Sequence, residues 1–374
     1  MVEIKEVKSR SQIRDFINFP LDLYKGNPCF VPPLYGDEKK MFGKKFVYSD
    51  TCESVFFNAY KDGRICGRIQ GIIQRAANEK NNEKRVRFTR FDSVDDDEVA
   101  EKLFGAVEEW AIAKGMDTVV GPLGYSDLER EGLLIEGFDK VSTFEEQYNA
   151  EYYARLIENR GYEKEVDWVE SMIRLPEGGI DERVFRLEEM LFKRFRLHFG
   201  TAKNTGEFLD KYADGFFELL DKSYENIYGT VPFTDAMKKM MIDNFRLIID
   251  LRYVAVILNE EEKVIALGIC FPAIGGAVQK SGGRLTPATV LRILKAVKKP
   301  KVIDFGLVGI DPKYMNFGIG EAIVAEVARM LEDSGIDHAE TNLNLEDNEA
   351  IRSIWKYFDS EEHKRRRCYV KKLI

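Results

Sequence analysis

Hydrophobic and polar positions follow two rhythms along this chain, the alternation typical of strands and the period of about 3.6 residues typical of helices. In the first half, strands and helices succeed one another around one clear hairpin, whose turn is Lys61-Asp-Gly-Arg64. The predicted strands are 2–7, 54–60, 65–74, 85–91, 117–121 and 165–173, and the predicted helices are 11–24, 95–114 and 148–160.

The second half repeats this order. Its predicted strands are 194–201, 253–258, 264–271, 302–310, 338–343 and 368–370, and its predicted helices are 205–224, 234–249, 287–298 and 349–358. The segment 175–182 combines a proline with a glycine pair and is predicted to be a linker. The pattern therefore predicts an α/β fold with mixed sheets in two domains, 1–175 and 183–374.

Composition narrows the class of protein. A chain of 374 residues, 44% hydrophobic and 32% charged, is long enough for two domains with full cores. The net charge of −8 argues against a nucleic-acid partner. The first residues hold no apolar signal region, and no apolar run approaches about 18 residues, so we expect a cytoplasmic protein without a membrane partner.

The cysteines and histidines do not indicate a metal site. The five cysteines are scattered, odd in number and without a Cys-x-x-Cys spacing, so we expect core residues rather than disulfides or zinc ligands. The three histidines, His198, His338 and His363, are not paired at helical spacing. The prediction is therefore a protein without a bound metal.

The segment 302–320 is the most informative part of the chain. An apolar strand, 302–310, leads through a short loop into Gly318-Ile319-Gly320, where an amphipathic helix begins. Such a turn directs free backbone amides toward the helix N-terminus, where they and the helix dipole favour a phosphate group. An alternative stays open, in which the glycines only let the helix pack close to the strand.

The order strand, Pro-x-Tyr, loop, Gly-x-Gly, helix, strand, Asn, helix, strand resembles the GNAT superfamily of acyl-CoA-dependent N-acyltransferases. In that family the loop runs Pro-x-Tyr-Arg-Gly-x-Gly-x-Gly and holds the pyrophosphate of coenzyme A. Met315 stands here at the position of the usual Arg or Gln, and Asn316 at that of the first glycine. The resemblance implies acetyl-CoA, or another acyl-CoA, as the cofactor. It implies contacts from Met315, Asn316, Phe317, Gly318, Ile319 and Gly320 at the phosphates, from Val308, Gly309 and Ile310 at the pantetheine arm and thioester, and from Asn348.

Candidate catalytic residues lie around the same strands. Asp304, in an otherwise apolar strand, and Glu340, at the corresponding depth on the next strand, are candidates for the general base, because partial burial raises the pKa of a carboxyl group. The family places an acidic tyrosine seven residues after the asparagine, where this chain has Trp355. Tyr357 and Tyr369 are the nearby alternatives. Asn348 is also a sufficient helix cap by itself.

The first half lacks the glycine pair. Its corresponding loop, 92–98, is acidic and would repel a pyrophosphate, so we expect an N-terminal GNAT-like domain without cofactor. The whole chain resembles a group of bacterial proteins with tandem GNAT-like domains, through Phe30-Val-Pro-Pro33, Asp62-Gly-Arg-Ile-Cys-Gly-Arg-Ile69 and Gly132-Leu-Leu-Ile-Glu-Gly-Phe138. The resemblance implies an N-acetyltransferase acting on a primary amine, in a small molecule or peptide, of unknown identity. The alternatives are a non-catalytic ligand-binding protein and an aminoacyl-tRNA-dependent aminoacyltransferase.

Overall fold

The computed structural model of the chain describes residues 1–225, 227–246, 248–333 and 335–373. These residues form two compact units, each assembled from separate stretches of sequence. Unit 1 comprises Met1–Val169, Gly275–Leu291 and His363–Ile374, and unit 2 comprises Glu170–Ile274 and Arg292–Glu362. The predicted domains 1–175 and 183–374 are continuous in sequence, whereas the compact units are not.

The first part of the chain alternates strands and helices much as the hydrophobic pattern predicts. Its elements are β1 (Val2–Glu6), α1 (Arg10–Leu23), α2 (Tyr35–Lys40), β2 (Cys52–Lys61), β3 (Arg64–Gln74), α3 (Arg75–Asn81), β4 (Arg85–Ser93), α4 (Asp97–Ala113), β5 (Thr118–Gly121), β6 (Leu133–Glu136), α5 (Tyr152–Glu158) and β7 (Glu163–Arg174). Side-chain caps define several helix starts, and Ser9 and Gln12 form a capping box at α1.

The second part follows a similar order with two additional helices. Its elements are α6 (Glu182–Phe195), β8 (His198–Phe199), α7 (Thr205–Ser223), α8 (Asp235–Phe245), β9 (Val254–Leu258), β10 (Val264–Pro272), α9 (Gly275–Gln279), α10 (Pro287–Lys298), β11 (Val302–Ile310), α11 (Ile319–Asp333), β12 (His338–Glu340), β13 (Asn344–Leu345), α12 (Glu349–Trp355) and β14 (Asp359–Lys372). Two 3₁₀ turns, Leu251–Tyr253 and Met315–Phe317, precede β9 and α11.

Helix α6 corrects the sequence prediction, which began a strand at residue 194 and assigned no helix before it. Asp181 caps the helix by accepting a hydrogen bond from the amide of Arg183. Val184 and Leu191 are buried on its inner face, and α6 packs on α11. The helix ends at Arg196, whose φ of +52° is left-handed, so little chain remains for the predicted strand.

The two units share one sheet plan. In unit 1, β1, β2, β3 and β4 are antiparallel neighbours, β5 runs parallel to β4, and β14 is antiparallel to β5. In unit 2, β8, β9, β10 and β11 are antiparallel neighbours, β12 runs parallel to β11, and the end of β7 is antiparallel to β12. Each sheet therefore receives its last strand from the other half of the sequence.

Each unit has its own hydrophobic core, in which one helix crosses the sheet. In unit 1, Leu103 and Phe104 of α4 pack against Phe88 and Phe91 of β4. In unit 2, the buried face of α11 joins Ile303 and Phe305 of β11. All five cysteines are buried and free, which confirms their prediction as core residues. Among the described residues, no helix has the length and apolar character needed to span a bilayer.

Candidate functional site

The strands β11 and β12 run side by side for only three residues. Val302, Ile303 and Asp304 pair in register with His338, Ala339 and Glu340, and the ladder then ends. β11 continues to Ile310 against β10, while the chain after Glu340 turns toward β7, where the amide of Thr341 donates to the carbonyl of Ser171. The two strands therefore separate directly after the Asp304–Glu340 pair, and one edge of β11 is left open beyond it.

Asp304 and Glu340 are adjacent carboxyl groups at the start of this opening. Asp304 is only 6% exposed, between the buried side chains of Ile303 and Phe305. The side chain of Glu340 is 12% exposed, and its Oε1 lies 3.3 Å from Nε2 of His338. The register of the two strands places Glu340 beside Asp304, at the depth predicted from the sequence.

The open edge of β11 carries donors from two neighbouring segments. Nδ2 of Asn342 donates to the carbonyl of Gly306 at 2.9 Å, and the hydroxyl of Tyr224 donates to the carbonyl of Val308 at 3.0 Å. Residues two apart in a strand direct their backbone groups to the same edge, so the amide of Val308 also faces this side. Gly309 lies beside α7, and a Cβ added there would be 3.2 Å from Oγ of Ser223.

The loop from β11 to α11 forms the predicted glycine turn. Gly318 has a φ of +86°, a left-handed conformation that strains any other residue, and α11 begins at the next residue. A Cβ added to Gly320 would lie 3.8 Å from the side chain of Ile354, an ordinary contact distance. Gly318 is therefore required by the backbone, whereas close packing does not require glycine at position 320. The first amides of α11 have no partners within the helix.

Two ionisable side chains, Glu321 and Tyr357, meet at this turn. Glu321 lies in the first turn of α11, and its Oε2 is 3.4 Å from the position of a Cβ on Gly318. Tyr357 hydrogen-bonds to Glu321, and burial followed by the charge of Glu321 raises the pKa of the Tyr357 hydroxyl. Tyr357 is therefore protonated at neutral pH, as an acid must be. The carboxylate of Glu321 also opposes an incoming phosphate electrostatically.

The remaining residues of the loop differ in how far their side chains are exposed to solvent. The side chains of Met315 and Phe317 are half exposed, and the Phe317 ring packs on Phe195 at 5.0 Å between centroids. Ile319 is fully buried in the core cluster that includes Leu197 and Ala322. The side chain of Asn316 lies outside the described part of the chain, and only its backbone, in the 3₁₀ turn, is placed.

Three comparisons with known proteins bear on the fold. No family model matches the chain. Over nearly its full length it is 25% identical to protein YghO of Escherichia coli K12 (99% of this chain, 95% of that protein) and 25% identical to the bacterial ceramide synthase of Caulobacter vibrioides (98% and 96%). A solved tandem GNAT protein from the clavulanic acid biosynthesis pathway superposes over 100% of this chain and 99% of its own, with a TM-score of 0.56 at 10% identity. This chain has a tandem GNAT fold.

Trp355 lies at the end of α12, seven residues after Asn348. Its indole N–H donates to Oδ1 of Asn344 at 2.9 Å. Its ring packs on Phe305 with 4.8 Å between centroids. Asn348 caps α12 through a hydrogen bond of 3.2 Å from the amide of Ile351, which confirms the predicted cap.

The predicted site residues of this GNAT fold fall into two groups. Asp304 and Glu340 lie together at the start of the open strand edge, and Gly318 and Tyr357 lie together around Glu321 at the start of α11. Glu321 was missed from the sequence, although an acid in the first turn after a Gly-x-Gly was a readable signal.

An apolar cavity lies between α11 and the sheet of unit 2. Its volume is about 20 Å³, enough for about one water molecule, and Val308, Cys270 and Glu326 are among the residues at its wall. Burial raises the pKa of Glu326, which also accepts a hydrogen bond from Arg329. Gly268 lines the same space, and a Cβ added there would meet nothing within 4 Å. No sequence signal indicated this cavity, because its wall combines four distant segments.

The acidic loop of unit 1 is occupied by partners from within that unit. Asp92 is buried and bonded to Nε of Arg68 at 2.8 Å, and Asp96 caps α4. Arg155 binds the carboxylates of Asp95 and Asp97. These acids neutralise the N-terminus of α4 from within the chain. In the part of the chain that the structure describes, no cluster of His, Cys, Asp and Glu could hold a metal ion.

Proposed function

We propose that this protein is an acyl-CoA-dependent N-acyltransferase that transfers an acyl group, in the simplest case acetyl, to a primary amine. The observation that carries the proposal is the separation of β11 from β12 directly after the Asp304–Glu340 pair. An open strand edge can bind an extended cofactor arm through its backbone groups. A buried carboxyl group beside that edge can act as the proton acceptor for the amine. The left-handed turn at Gly318 then supplies the helix N-terminus for phosphate.

The proposed roles follow from chemistry that amide formation requires. Acyl-CoA supplies a thioester, whose carbonyl carbon accepts the amine nitrogen while the C–S bond breaks. The amides of Gly318, Ile319 and Gly320 bind the phosphates, and the amide of Val308 polarises the thioester oxygen. Asp304 or Glu340 accepts the proton that the ammonium group must lose. Tyr357 holds a proton at neutral pH and is the candidate donor for the leaving thiolate.

One named relative suggests the substrate class. The relative in Caulobacter vibrioides is a ceramide synthase, and a ceramide is the N-acyl derivative of a long-chain amino alcohol. We therefore propose long-chain amino alcohols as the first acceptors to screen, with acetyl and fatty acyl donors.

Calorimetric titration with acetyl-CoA, and separately with desulfo-CoA, tests cofactor binding. We expect micromolar binding that is lost in Gly318→Asp, because the added carboxylate and Cβ would occupy the phosphate position. The matched control is Gly335→Asp, which places the same change at another left-handed glycine, after the end of α11. Absence of heat with both ligands, in wild-type protein shown to be folded by its thermal transition, would contradict the acyltransferase function.

A ligand-binding protein without turnover is the second candidate function. Trp355, held in the core at the position of the family's acid, and Glu321, beside the phosphate position, are the observations that favour it. Binding of acetyl-CoA with no N-acyl product from any amine of the screen would support this second function over the first.

A further inference from the structure

A stripe of exposed aliphatic side chains lies on α10 and the segment before it, outside the site described above. Leu291 is 68% exposed, Leu294 54%, Leu285 52% and Val290 42%. Single exposed apolar residues are common on protein surfaces, but a contiguous stripe marks an interaction site. We call these four side chains the α10 stripe.

The spacing of the stripe follows the helix. Val290 and Leu294 are four residues apart and Leu291 lies beside them, so the three share one face of α10. The opposite face is anchored, since Thr289 is fully buried and Ile293 and Val297 are half-buried. One side of helix α10 therefore packs against its own chain. The other side is apolar and is left exposed by the residues that the structure describes.

The charge around the stripe has a single sign. Between Glu262 and Asp304 the sequence contains no acidic residue, although the chain carries 64 Asp and Glu and a net charge of −8. Lys295 and Lys298 follow Leu291 and Leu294 on the exposed face at helical spacing. The basic residues in and around the helix are Lys280, Arg284, Arg292, Lys295, Lys298, Lys299 and Lys301.

Two acidic groups from neighbouring elements lie near α10, and each has a basic partner. Asp250 binds Arg252 through two oxygens, and Nη2 of Arg252 reaches the carbonyls of Val297 and Lys298 at 3.4 Å. Asp337 lies 3.9 Å from Nζ of Lys301 and offsets the charge of that lysine. Lys295 and Lys298 of the exposed face contribute a positive field that attracts an anionic partner.

We propose that α10 docks this protein on the surface of an anionic lipid bilayer. Leucine and valine side chains insert among the acyl chains near the headgroups, while the lysine stems run along them and place their ammonium groups at lipid phosphates. The lysines of the exposed face match the charge of an anionic membrane surface. Such a helix lies in the interface, so it needs no segment long enough to cross the bilayer.

Flotation of the full-length protein with vesicles tests this proposal. We compare vesicles of phosphatidylcholine alone with vesicles of phosphatidylcholine and phosphatidylglycerol in equal amounts. We expect binding to the anionic vesicles that weakens at high salt, because screening removes the electrostatic part. The double variant Leu291→Glu/Leu294→Glu should bind the anionic vesicles more than about tenfold more weakly, since it loses the insertion and adds two negative charges.

Two further variants make the result specific. Ile112→Glu/Met190→Glu is the matched control, because it changes two equally exposed apolar residues on α4 and α6 and should bind as the wild type does. Lys295→Ala/Lys298→Ala should reduce the preference for anionic vesicles while leaving the stripe. Equal loss in control and stripe variants, or no binding by the wild type, would overturn the proposal. A dimer that dissociates in the stripe variant, without vesicle binding, would assign the stripe to contacts between copies instead.

Discussion

Asp304 and Glu340 lie directly opposite each other on two adjacent parallel strands, at the point where those strands separate. Asp304 is the more deeply buried of the two. Both residues lie at the start of the open edge of β11, where a carboxylate is within the chemistry required of the proposed base.

Removal of the base should reduce catalysis without affecting the cofactor. We expect Asp304→Asn to lower kcat/KM for acyl transfer by about a hundredfold or more, with an unchanged dissociation constant for acetyl-CoA. The acidic limb of the pH–rate profile should also disappear, because that limb reports protonation of the base. Asp337→Asn, at an exposed position just before β12, is the control. A full loss in Glu340→Gln with little effect in Asp304→Asn would assign the base to Glu340.

Glu321 should weaken cofactor binding and hold the proton of Tyr357. We expect Glu321→Gln to bind coenzyme A about two- to fivefold more tightly, since a negative charge leaves the phosphate position. The pKa of Tyr357 should fall in the same variant, because the charge of Glu321 raises it. Ultraviolet titration against Tyr357→Phe measures this change. Glu332→Gln, in the last turn of the same helix, is the control and should change neither the affinity nor the pKa of Tyr357. An unchanged affinity for coenzyme A in Glu321→Gln would show that Glu321 does not lie beside the bound phosphate.

Two substitutions at Asn348 separate its structural role from a cofactor contact. Asn348→Ala should lower the free energy of unfolding by about 1 kcal/mol, because the cap of α12 is lost. Asn348→Asp keeps the cap and should unfold like the wild type, yet it should bind coenzyme A more weakly because of its charge. The same pair of changes at Asn204, which caps α7, should leave the affinity unchanged. If Asn348→Asp binds coenzyme A with the affinity of the wild type, Asn348 acts only as a helix cap and does not contact the cofactor.

Asp167 should make the stability of unit 1 depend on pH. Burial alone would raise the pKa of this carboxyl, but hydrogen bonds from Arg367 and Lys164 outweigh burial and lower it. A carboxyl with a lower pKa in the folded state stabilises that state above the unfolded pKa of about 4, and the contribution is lost as the pH falls through the folded pKa.

We therefore expect Asp167→Asn to lower the free energy of unfolding at neutral pH by about 1–3 kcal/mol and to flatten its dependence on acidic pH. Denaturant unfolding at a series of pH values measures both effects. Asp139→Asn is the control, since Asp139 is 78% exposed. A pH dependence in Asp167→Asn as steep as in the wild type would show that other carboxyl groups dominate acid unfolding.

Local features of the site were predictable from the sequence. The period of the apolar residues predicted β11 at 302–310 and α10 at 287–298, and both elements have these bounds. The Gly-x-Gly pattern predicted a strand-to-helix turn at Gly318, and Gly318 takes the left-handed φ that favours glycine. Asn348 was predicted as a helix cap, because an asparagine side chain can bond to backbone amides nearby in sequence. Helix α6 was not predicted, because the proline and the glycine pair before it indicate a linker and no strand or helix was assigned between that linker and residue 194.

The sequence by itself determined the order of strands and helices, the mixed α/β class and the glycine turn, because each depends on residues a few positions apart. Only the tertiary structure decided that β14 completes the sheet of unit 1 and β7 that of unit 2, that Tyr357 lies against Glu321, and that α10 keeps an uncovered apolar face. Strand partners and side-chain neighbours are chosen by burial and hydrogen bonding across the whole chain, and the local period of a sequence carries no record of that choice.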